Sequence, residues 1–353
     1  MNRLLKTFVH LQDSSLIKQY YELHISESEF SITVAGQENQ TEITELYLMG
    51  FVGLGDLQVP AFCLFLLIYL VTMVGNILII LLVVTDSHLH IPMYFFLGNF
   101  SFLEICYSSN ILPMMLASLI HGGRKLISIT GCIIQYYLFA LLAIAECCLL
   151  AAMSYDRYVA ICKPLHYTTL MNDKICVQFI VGSWIHGFFV MNIVLYLMHL
   201  LKLKFCGPSE INHFFCELNP VLKLACGETY LIEIATTLLS VLCVLLPFLL
   251  TLTSYVFIIS TVMRMSSVSG RKKAFSTCSS HLMVVSIFYI TLMIVYILPK
   301  TDDLKRINKI VSLFYTILPP LLNPLIYSLR NREVIEALRK AVAKLHATER
   351  MYH

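Results

Sequence analysis

Charged residues are scarce in this chain: 25 basic and 22 acidic side chains make up 13% of its 353 residues, against about 25% in an average soluble domain. Hydrophobic residues instead supply 58%, and the mean hydropathy is +0.76. One protein interior cannot bury so much apolar surface, so a large part of it must face lipid. The composition therefore excludes a soluble globular protein.

Glycine, proline and tryptophan are also few, at 14, 11 and one residue, which excludes collagen-like and low-complexity chains. The net charge of +3 is too small to indicate a nucleic-acid binder, so we expect no nucleic acid among the partners. The twelve cysteines match none of the paired ligand spacings of zinc sites. We expect no cofactor.

Seven long apolar runs divide the chain. A helix needs about 20 apolar residues to cross a roughly 30 Å hydrocarbon core, and its backbone groups must be satisfied within the segment. The runs cover residues 57–85, 92–119, 127–155, 175–201, 231–263, 274–299 and 310–329. They are too long and continuous for barrel strands. The sequence therefore predicts an all-α membrane protein with a seven-transmembrane helix bundle.

We expect three regions along the chain. Residues 1–56 are predicted to form an extracellular N-terminal segment that is mostly disordered, and residues 57–329 the seven-transmembrane bundle. Residues 330–353 then form a cytoplasmic tail, in which Val334, Leu338 and Leu345 recur at helical spacing. This spacing predicts a short amphipathic helix on the membrane surface, which makes membrane lipid a partner.

The orientation follows from basic residues and from features of an oxidising compartment. With the N-terminus outside, the cytoplasmic loops and tail carry 13 Lys and Arg, and the outer loops nine before the N-terminal arm is counted. Asn39 begins an Asn-Gln-Thr glycosylation acceptor. The segment after the fourth run holds Cys206, Cys216 and Cys226. We predict a multi-pass plasma-membrane protein with an extracellular N-terminus.

Short motifs mark the ends of several predicted helices. They are Gly75-Asn76 in the first run, MSYDRYVAIC at 153–162, Trp184 in the fourth run, PMYFFL at 92–97, KPLHY at 163–167, KAFSTCSSHL at 273–282 and PLLNPLIYSLRN at 320–331. From about residue 39 to 345, the chain resembles the vertebrate olfactory receptors, a group of rhodopsin-like G-protein-coupled receptors. The resemblance implies an odorant receptor that binds a small, mostly apolar volatile ligand and activates a stimulatory heterotrimeric G protein, raising cAMP.

The resemblance also implies which residues couple to the G protein. They are Asp156, Arg157, Tyr158 and Tyr255. In rhodopsin-like receptors the arginine is freed on activation and contacts the G protein, so we expect Arg157 to face the cytosol rather than the core. A snorkelling end residue is the plainer interpretation of Arg157. The sixth helix begins with Lys272 and Lys273, so it lacks the acid that locks the arginine in many such receptors.

Two acids interrupt the apolar runs. Glu104 and Glu146 would each cost about 2.5 kcal/mol or more at a helix centre if unpaired, so they are expected to face the bundle interior. Glu104 matches the second-helix acid of the family, and we expect both acids to meet Asn76 and Asn323. A bound sodium ion and a protonated pair sharing hydrogen bonds are equally compatible with this set. No other metal is expected.

Four cysteines are candidates for disulfides. Cys132 is predicted at the outer end of the third helix, and Cys206, Cys216 and Cys226 share the following outer loop. Spacing alone allows three pairings of these four. The resemblance implies bonds from Cys132 to Cys216 and from Cys206 to Cys226. The cysteines within the helices, such as Cys63, are expected to pack as small apolar residues.

The ligand is expected in the outer half of the bundle. The proposed lining residues are Phe139, Ala140, Ala143, Ile144, Ser240, Cys243, Met293, Tyr296 and Thr316. A stripe of aromatic residues and Met in a membrane helix is more often packing than pocket, so the group is a stronger prediction than any member. Phe139 occupies the place where amine receptors carry an aspartate, which argues against a cationic amine ligand.

A transporter or channel and a membrane enzyme are the competing functions. Transporters commonly show repeated halves with broken helices, and the sequence has no self-similar halves. No His-Glu-x-x-His, Gly-x-Ser-x-Gly or phosphate-binding glycine loop occurs. We therefore predict that the protein is not an enzyme and that no residue is catalytic.

Overall fold

The computed structural model describes residues 43–206, 208–297, 305–330 and 332–352. Eight long helices account for most of these residues. They are α1 (Gln58–Thr85), α2 (Pro92–Ile120), α3 (Ile129–Cys162), α4 (Asp173–Leu200), α5 (Tyr230–Arg264), α6 (Val268–Ile297), α7 (Lys305–Arg330) and α8 (Arg332–Tyr352). Asn39, the predicted glycosylation acceptor, lies outside the described residues.

The seven-helix membrane bundle predicted from the sequence is confirmed. Among the described residues, six helices are long and apolar enough to cross a membrane, and α6 contains a shorter apolar stretch, Cys278–Leu292. The helix bounds extend beyond several apolar runs: α6 begins at Val268, six residues before its run. An apolar run marks the part of a helix that lipid surrounds, whereas Arg271 and Lys272 are good helix formers that lengthen the helix beyond it.

A glycine and a proline bring α1 and α7 together. A Cβ atom on Gly75 would lie 3.0 Å from Cβ of Pro324, so this close approach requires glycine. Pro324 lacks an N–H, which leaves the carbonyl of Pro320 without its usual helical donor. The Asn76 side chain donates to that carbonyl at 3.3 Å. The Gly75-Asn76 and Asn323-Pro324 motifs are therefore two sides of one helix contact.

A small sheet covers one end of the bundle and was not predicted. Its central strand β1 (Glu45–Leu48) pairs antiparallel with β2 (Lys125–Ser128) and parallel with β3 (Glu210–Ile211). Leu46 and Leu48 are buried, and the residues alternating with them are exposed. The sheet thus includes residues from the last part of the predicted N-terminal segment 1–56, of which residues 1–42 lie outside the described residues. Strands of two to four residues are too short to give a clear period-two signal.

The last helix, α8, packs against the bundle at the end opposite the sheet. Val334 and Ala337 on α8 are buried, and Tyr94 on α2 donates to Glu333 at 2.6 Å. Lys340 lies 3.9 Å from Asp86. The predicted amphipathic helix is therefore present and longer than expected, because it continues to Tyr352.

Candidate ligand and coupling sites

The two ends of the helix bundle carry different functional residues. The disulfide end carries the sheet and Cys132 at the start of α3, and the arginine end carries Arg157 at the close of α3. Because α3 has 34 residues, its two ends lie about 50 Å apart at 1.5 Å per residue. A ligand site at one end and a coupling site at the other must therefore communicate through the helices.

At the arginine end, Arg157 is buried and paired. Its Nε and Nη2 atoms donate to Asp156 Oδ2 at 3.0 and 2.5 Å, and Tyr167 donates to Asp156 Oδ1 at 2.8 Å. Arg157 is only 8% exposed and Asp156 0%, so the expectation that Arg157 faces the cytosol rather than the core is wrong. A guanidinium can be buried here because the adjacent carboxylate neutralises it.

Tyr167 reinforces this pair from the segment that follows α3. Burial raises the pKa of its hydroxyl above the ordinary value of 10.0, and the Asp156 carboxylate raises it further. The tyrosine therefore stays protonated and keeps its hydrogen bond to Asp156 at neutral pH.

The other two predicted coupling residues face α5 and α6. The Tyr255 hydroxyl lies 2.6 Å from Nδ1 of His281, and His281 is fully buried on α6. The Tyr158 ring lies 5.8 Å from the ring of Phe257 on α5. Sequence reasoning missed His281, although a histidine within an apolar run was a signal that it needed a partner.

The polar centre of the bundle is only partly assembled as expected. Asn323 Nδ2 donates to Glu104 Oε1, but the described hydrogen bonds of Asn76 go to the carbonyls of Thr72 and Pro320. Four buried oxygens have no hydrogen-bond partner among the described residues: Asn76 Oδ1, Glu104 Oε2, Glu146 Oε1 and Asn323 Oδ1. Oxygen donors of this kind suit a hard cation such as sodium, and a shared proton would satisfy the carboxylates equally.

The predicted ligand residues fall on several helices. Phe139, Ala140, Ala143 and Ile144 are half-buried on α3, and so is Ser240 on α5. Cys243 is buried with its sulfur 3.7 Å from Nε2 of His186. Thr316 donates to the carbonyl of Ser312 within its own helix. The side chains of Met293 and Tyr296 lie outside the described part of the chain.

Two aromatic residues that sequence reasoning missed flank Phe139. Tyr107 on α2 and Phe215 in the segment between α4 and α5 have ring centroids 5.5 and 5.2 Å from that of Phe139. Tyr107 and Phe215 are 4% and 0% exposed. The position of Phe215 beside Cys216 was the available signal, because a disulfide to α3 necessarily brings the neighbouring residues over the bundle.

Both disulfides implied by the resemblance are present at the disulfide end. Cys132 and Cys216 are bonded with Cα atoms 5.3 Å apart, and Cys206 and Cys226 with Cα atoms 5.5 Å apart. The first bond ties the segment between α4 and α5 to α3. The second closes a loop of that same segment.

A histidine and a lysine hold this segment against its neighbours. His213 Nε2 lies 3.3 Å from Glu217, and its Nδ1 lies 3.0 Å from the carbonyl of Phe215. Burial lowers the pKa of His213 below its ordinary value of 6.5, and Lys309 contributes to the lowering while Glu217 opposes it. Lys309 on α7 donates to the carbonyl of Met49 and to Asn212.

The bundle, the buried arginine at one end and the disulfide-anchored segment at the other define a multi-pass membrane protein of the seven-helix receptor class. The sequence profile of the olfactory receptor family matches residues 64–345. Mouse olfactory receptor 5B21 is 46% identical over 313 residues, which cover 89% of this chain and 97% of the relative. Human olfactory receptor 10C1 is 48% identical over 309 residues, 87% of this chain and 97% of the relative. The chain belongs to the olfactory receptor family.

Membership of this family confirms the resemblance seen in the motifs. It implies detection of odorants through G-protein-coupled signalling. The relatives are receptors and not enzymes, which confirms the prediction that this chain is not an enzyme.

Proposed function

We propose that this receptor binds a small, uncharged, mostly apolar volatile ligand in the half of the bundle nearest the disulfides. Binding activates a stimulatory heterotrimeric G protein at the arginine end and raises cAMP. In this proposal the protein lies in the plasma membrane, surrounded by lipid, with its N-terminus outside. No nucleic acid and no cofactor takes part.

The aromatic contact of Tyr107, Phe139 and Phe215 carries the ligand half of the proposal. These rings and the small side chains of Ala140 and Ala143 offer apolar surface and no acidic group. Such a surface gives dispersion and hydrophobic contacts without direction, which suits volatile molecules with few polar groups. A ligand with few atoms then binds weakly, at roughly micromolar concentration.

The buried pair of Asp156 and Arg157 supports the coupling half. Its carboxylate already has two donors, Arg157 and Tyr167, so Arg157 can be released while Asp156 keeps one partner. Lys272 at the start of α6 is exposed and offers no acid to hold Arg157. We infer that Asp156, not an acid on α6, holds the arginine until the G protein binds.

The polar centre lies between these two sites. It would hold either a sodium ion, bound by the side-chain oxygens of Asn76, Glu104, Glu146 and Asn323, or a proton shared by the carboxylates of Glu104 and Glu146. A dependence of agonist potency on sodium chloride, compared with choline chloride, would separate the ion from the proton.

A response assay in transfected cells tests the function directly. Cells that express the receptor are exposed to a panel of neutral volatile compounds, and cAMP is compared with that in cells without the receptor. We expect at least one compound to raise cAMP only in receptor-expressing cells. The same cells without the stimulatory α subunit should show no rise. A rise that persists without that subunit would contradict the proposed coupling.

A further inference from the structure

Gln135 on α3 fixes the backbone beside the Cys132–Cys216 disulfide. Its side-chain Oε1 accepts from the Cys216 N–H at 2.9 Å, and its Nε2 donates to the carbonyl of Asn110 on α2 at 3.0 Å. Asn110 Nδ2 donates back to the carbonyl of Gln135 at 3.0 Å. Gln135 is 5% exposed. One buried amide therefore links α2, α3 and the segment that carries Phe215.

The peptide group that joins Phe215 to Cys216 is held at both of its polar atoms. The Cys216 N–H donates to Gln135 Oε1 at 2.9 Å, and the Phe215 carbonyl lies 3.0 Å from Nδ1 of His213. The Phe215 ring is fully buried against Phe139. A buried peptide group whose hydrogen bonds are satisfied has one well-defined position.

The preceding residue, Phe214, packs in a different place. Its ring lies 4.6 Å from the ring of Phe51, and Lys309 Nζ lies 4.9 Å from its centroid. Phe214 is 6% exposed, so both phenylalanines are buried. Both rings lie beside His213, but among the described aromatic contacts Phe215, and not Phe214, packs against a proposed ligand residue.

We propose that Phe215 closes the ligand site beside Phe139 and sets the size of ligand the receptor accepts, with Gln135 as the positioning residue that fixes it. This inference rests on the proposed function, because it places the ligand next to Phe139. A rigid aromatic ring in contact with the ligand excludes longer or bulkier molecules, and specificity of this kind comes from shape rather than from hydrogen bonds.

Thiol labelling tests, without any ligand, whether Phe215 covers residue 139; we call this its covering role. Phe139→Cys is introduced into the full-length receptor, which is purified in detergent and treated with a small methanethiosulfonate reagent. Mass spectrometry then measures the rate of modification at residue 139. We expect Phe215→Ala to raise this rate roughly tenfold, because removing a buried ring leaves an opening. Phe214→Ala serves as the matched control and should leave it unchanged. Equal rates in both variants would overturn the covering role.

A series of unbranched primary alcohols and aldehydes with about four to ten carbons tests the specificity role. Relative to the wild type, Phe215→Ala should move the best chain length upward and weaken the original optimum about tenfold, the effect expected for one methylene in a hydrophobic pocket. Responses are divided by the amount of receptor at the cell surface. Phe215→Leu should change the preference in the same direction if the alanine variant does not reach the surface. An unchanged chain-length preference in every variant that reaches the surface would refute the specificity role.

Gln135→Leu tests the positioning role. It should move the chain-length preference as Phe215→Ala does, and it should add little when the two are combined, because both act through the same ring. Additive effects would refute a role through Phe215. If the wild-type receptor answers none of these compounds or any other neutral volatile, the proposed function fails, and the labelling rates alone then decide whether Phe215 covers Phe139.

Discussion

A buried arginine in a membrane bundle needs a nearby carboxylate, and Arg157 has one in Asp156. Arg157→Ala would leave the Asp156 carboxylate buried with the Tyr167 hydroxyl as its remaining described donor. Breaking such a pair typically costs about 3 to 5 kcal/mol, so we expect a lower surface level in addition to the loss of the cAMP response. Immunostaining of intact cells and cAMP per surface receptor measure the two effects separately.

A double variant separates stability from coupling in this pair. Asp156→Asn combined with Arg157→Ala removes the unpaired charge, so the surface level should recover while the response stays absent. A normal response per receptor from either variant would show that Arg157 does not couple to the G protein.

His213 predicts how stability depends on pH. Its pKa in the folded protein is lowered below 6.5 by burial, so the unfolded chain binds more protons just below that pH. Stability therefore rises with pH in this range and is lost as the pH falls below about 6.5. The melting temperature of the purified receptor should decrease between about pH 7 and 5.5, and less steeply in His213→Gln. His213→Gln leaves the other eleven histidines in place, so identical slopes in the two proteins would contradict the assignment.

The Cys132–Cys216 disulfide ties the segment between α4 and α5 to α3. Cys132→Ser or Cys216→Ser should destabilise the receptor by roughly 2 to 5 kcal/mol, the usual range for a native disulfide in an extracellular domain. Reduced surface level and a lower melting temperature are the measurements. Cys63→Ser is the control, because Cys63 is a free, exposed residue on α1. Equal surface levels for all three variants, or labelling of Cys216 as a free thiol, would exclude the bond.

The helices were predictable from the sequence because a segment that crosses lipid must be apolar and must satisfy its backbone hydrogen bonds internally. The strands were not, because β1 has four residues and β3 two. Their pairing also joins residues far apart in the sequence, such as Leu48 with Lys125 and with Ile211. No local pattern around Leu48 contains that information.

Across the whole molecule, the sequence identified residues better than it identified their partners. The motifs singled out Asn76 and Pro324, but the contact of Gly75 with Pro324 and the bond from Asn76 to Pro320 depend on how α1 and α7 pack. In the same way Phe139 was predicted as a ligand residue, but its contact with Phe215 was not. That contact depends on the Cys132–Cys216 disulfide, which holds the segment between α4 and α5 against α3. Composition and periodicity describe single elements, and sites between elements need the tertiary structure.

Because the proposed ligand site is neutral, a directional contact with the ligand must come from an uncharged side chain. Tyr296 is the proposed hydrogen-bond donor of that site, since its hydroxyl can donate to a carbonyl, ether or alcohol oxygen. Tyr296→Phe should weaken an oxygen-bearing agonist by about 1 kcal/mol, a typical hydrogen-bond contribution, and spare its hydrocarbon analogue. Concentration–response curves for the two compounds in wild-type and variant receptors give this difference.

A third compound is a protonated amine with the same chain length as the oxygen-bearing agonist and its hydrocarbon analogue. We expect it to be the weakest of the three compounds, because Phe139 stands where amine receptors carry an aspartate and a buried ammonium without a counter-ion loses its hydration. Equal loss for the oxygen-bearing compound and the hydrocarbon would show that Tyr296 contributes packing alone. If a permanently charged cation were the best agonist, the neutral site would be wrong, and an acid elsewhere in the bundle, such as Glu104 or Glu146, would have to face the ligand.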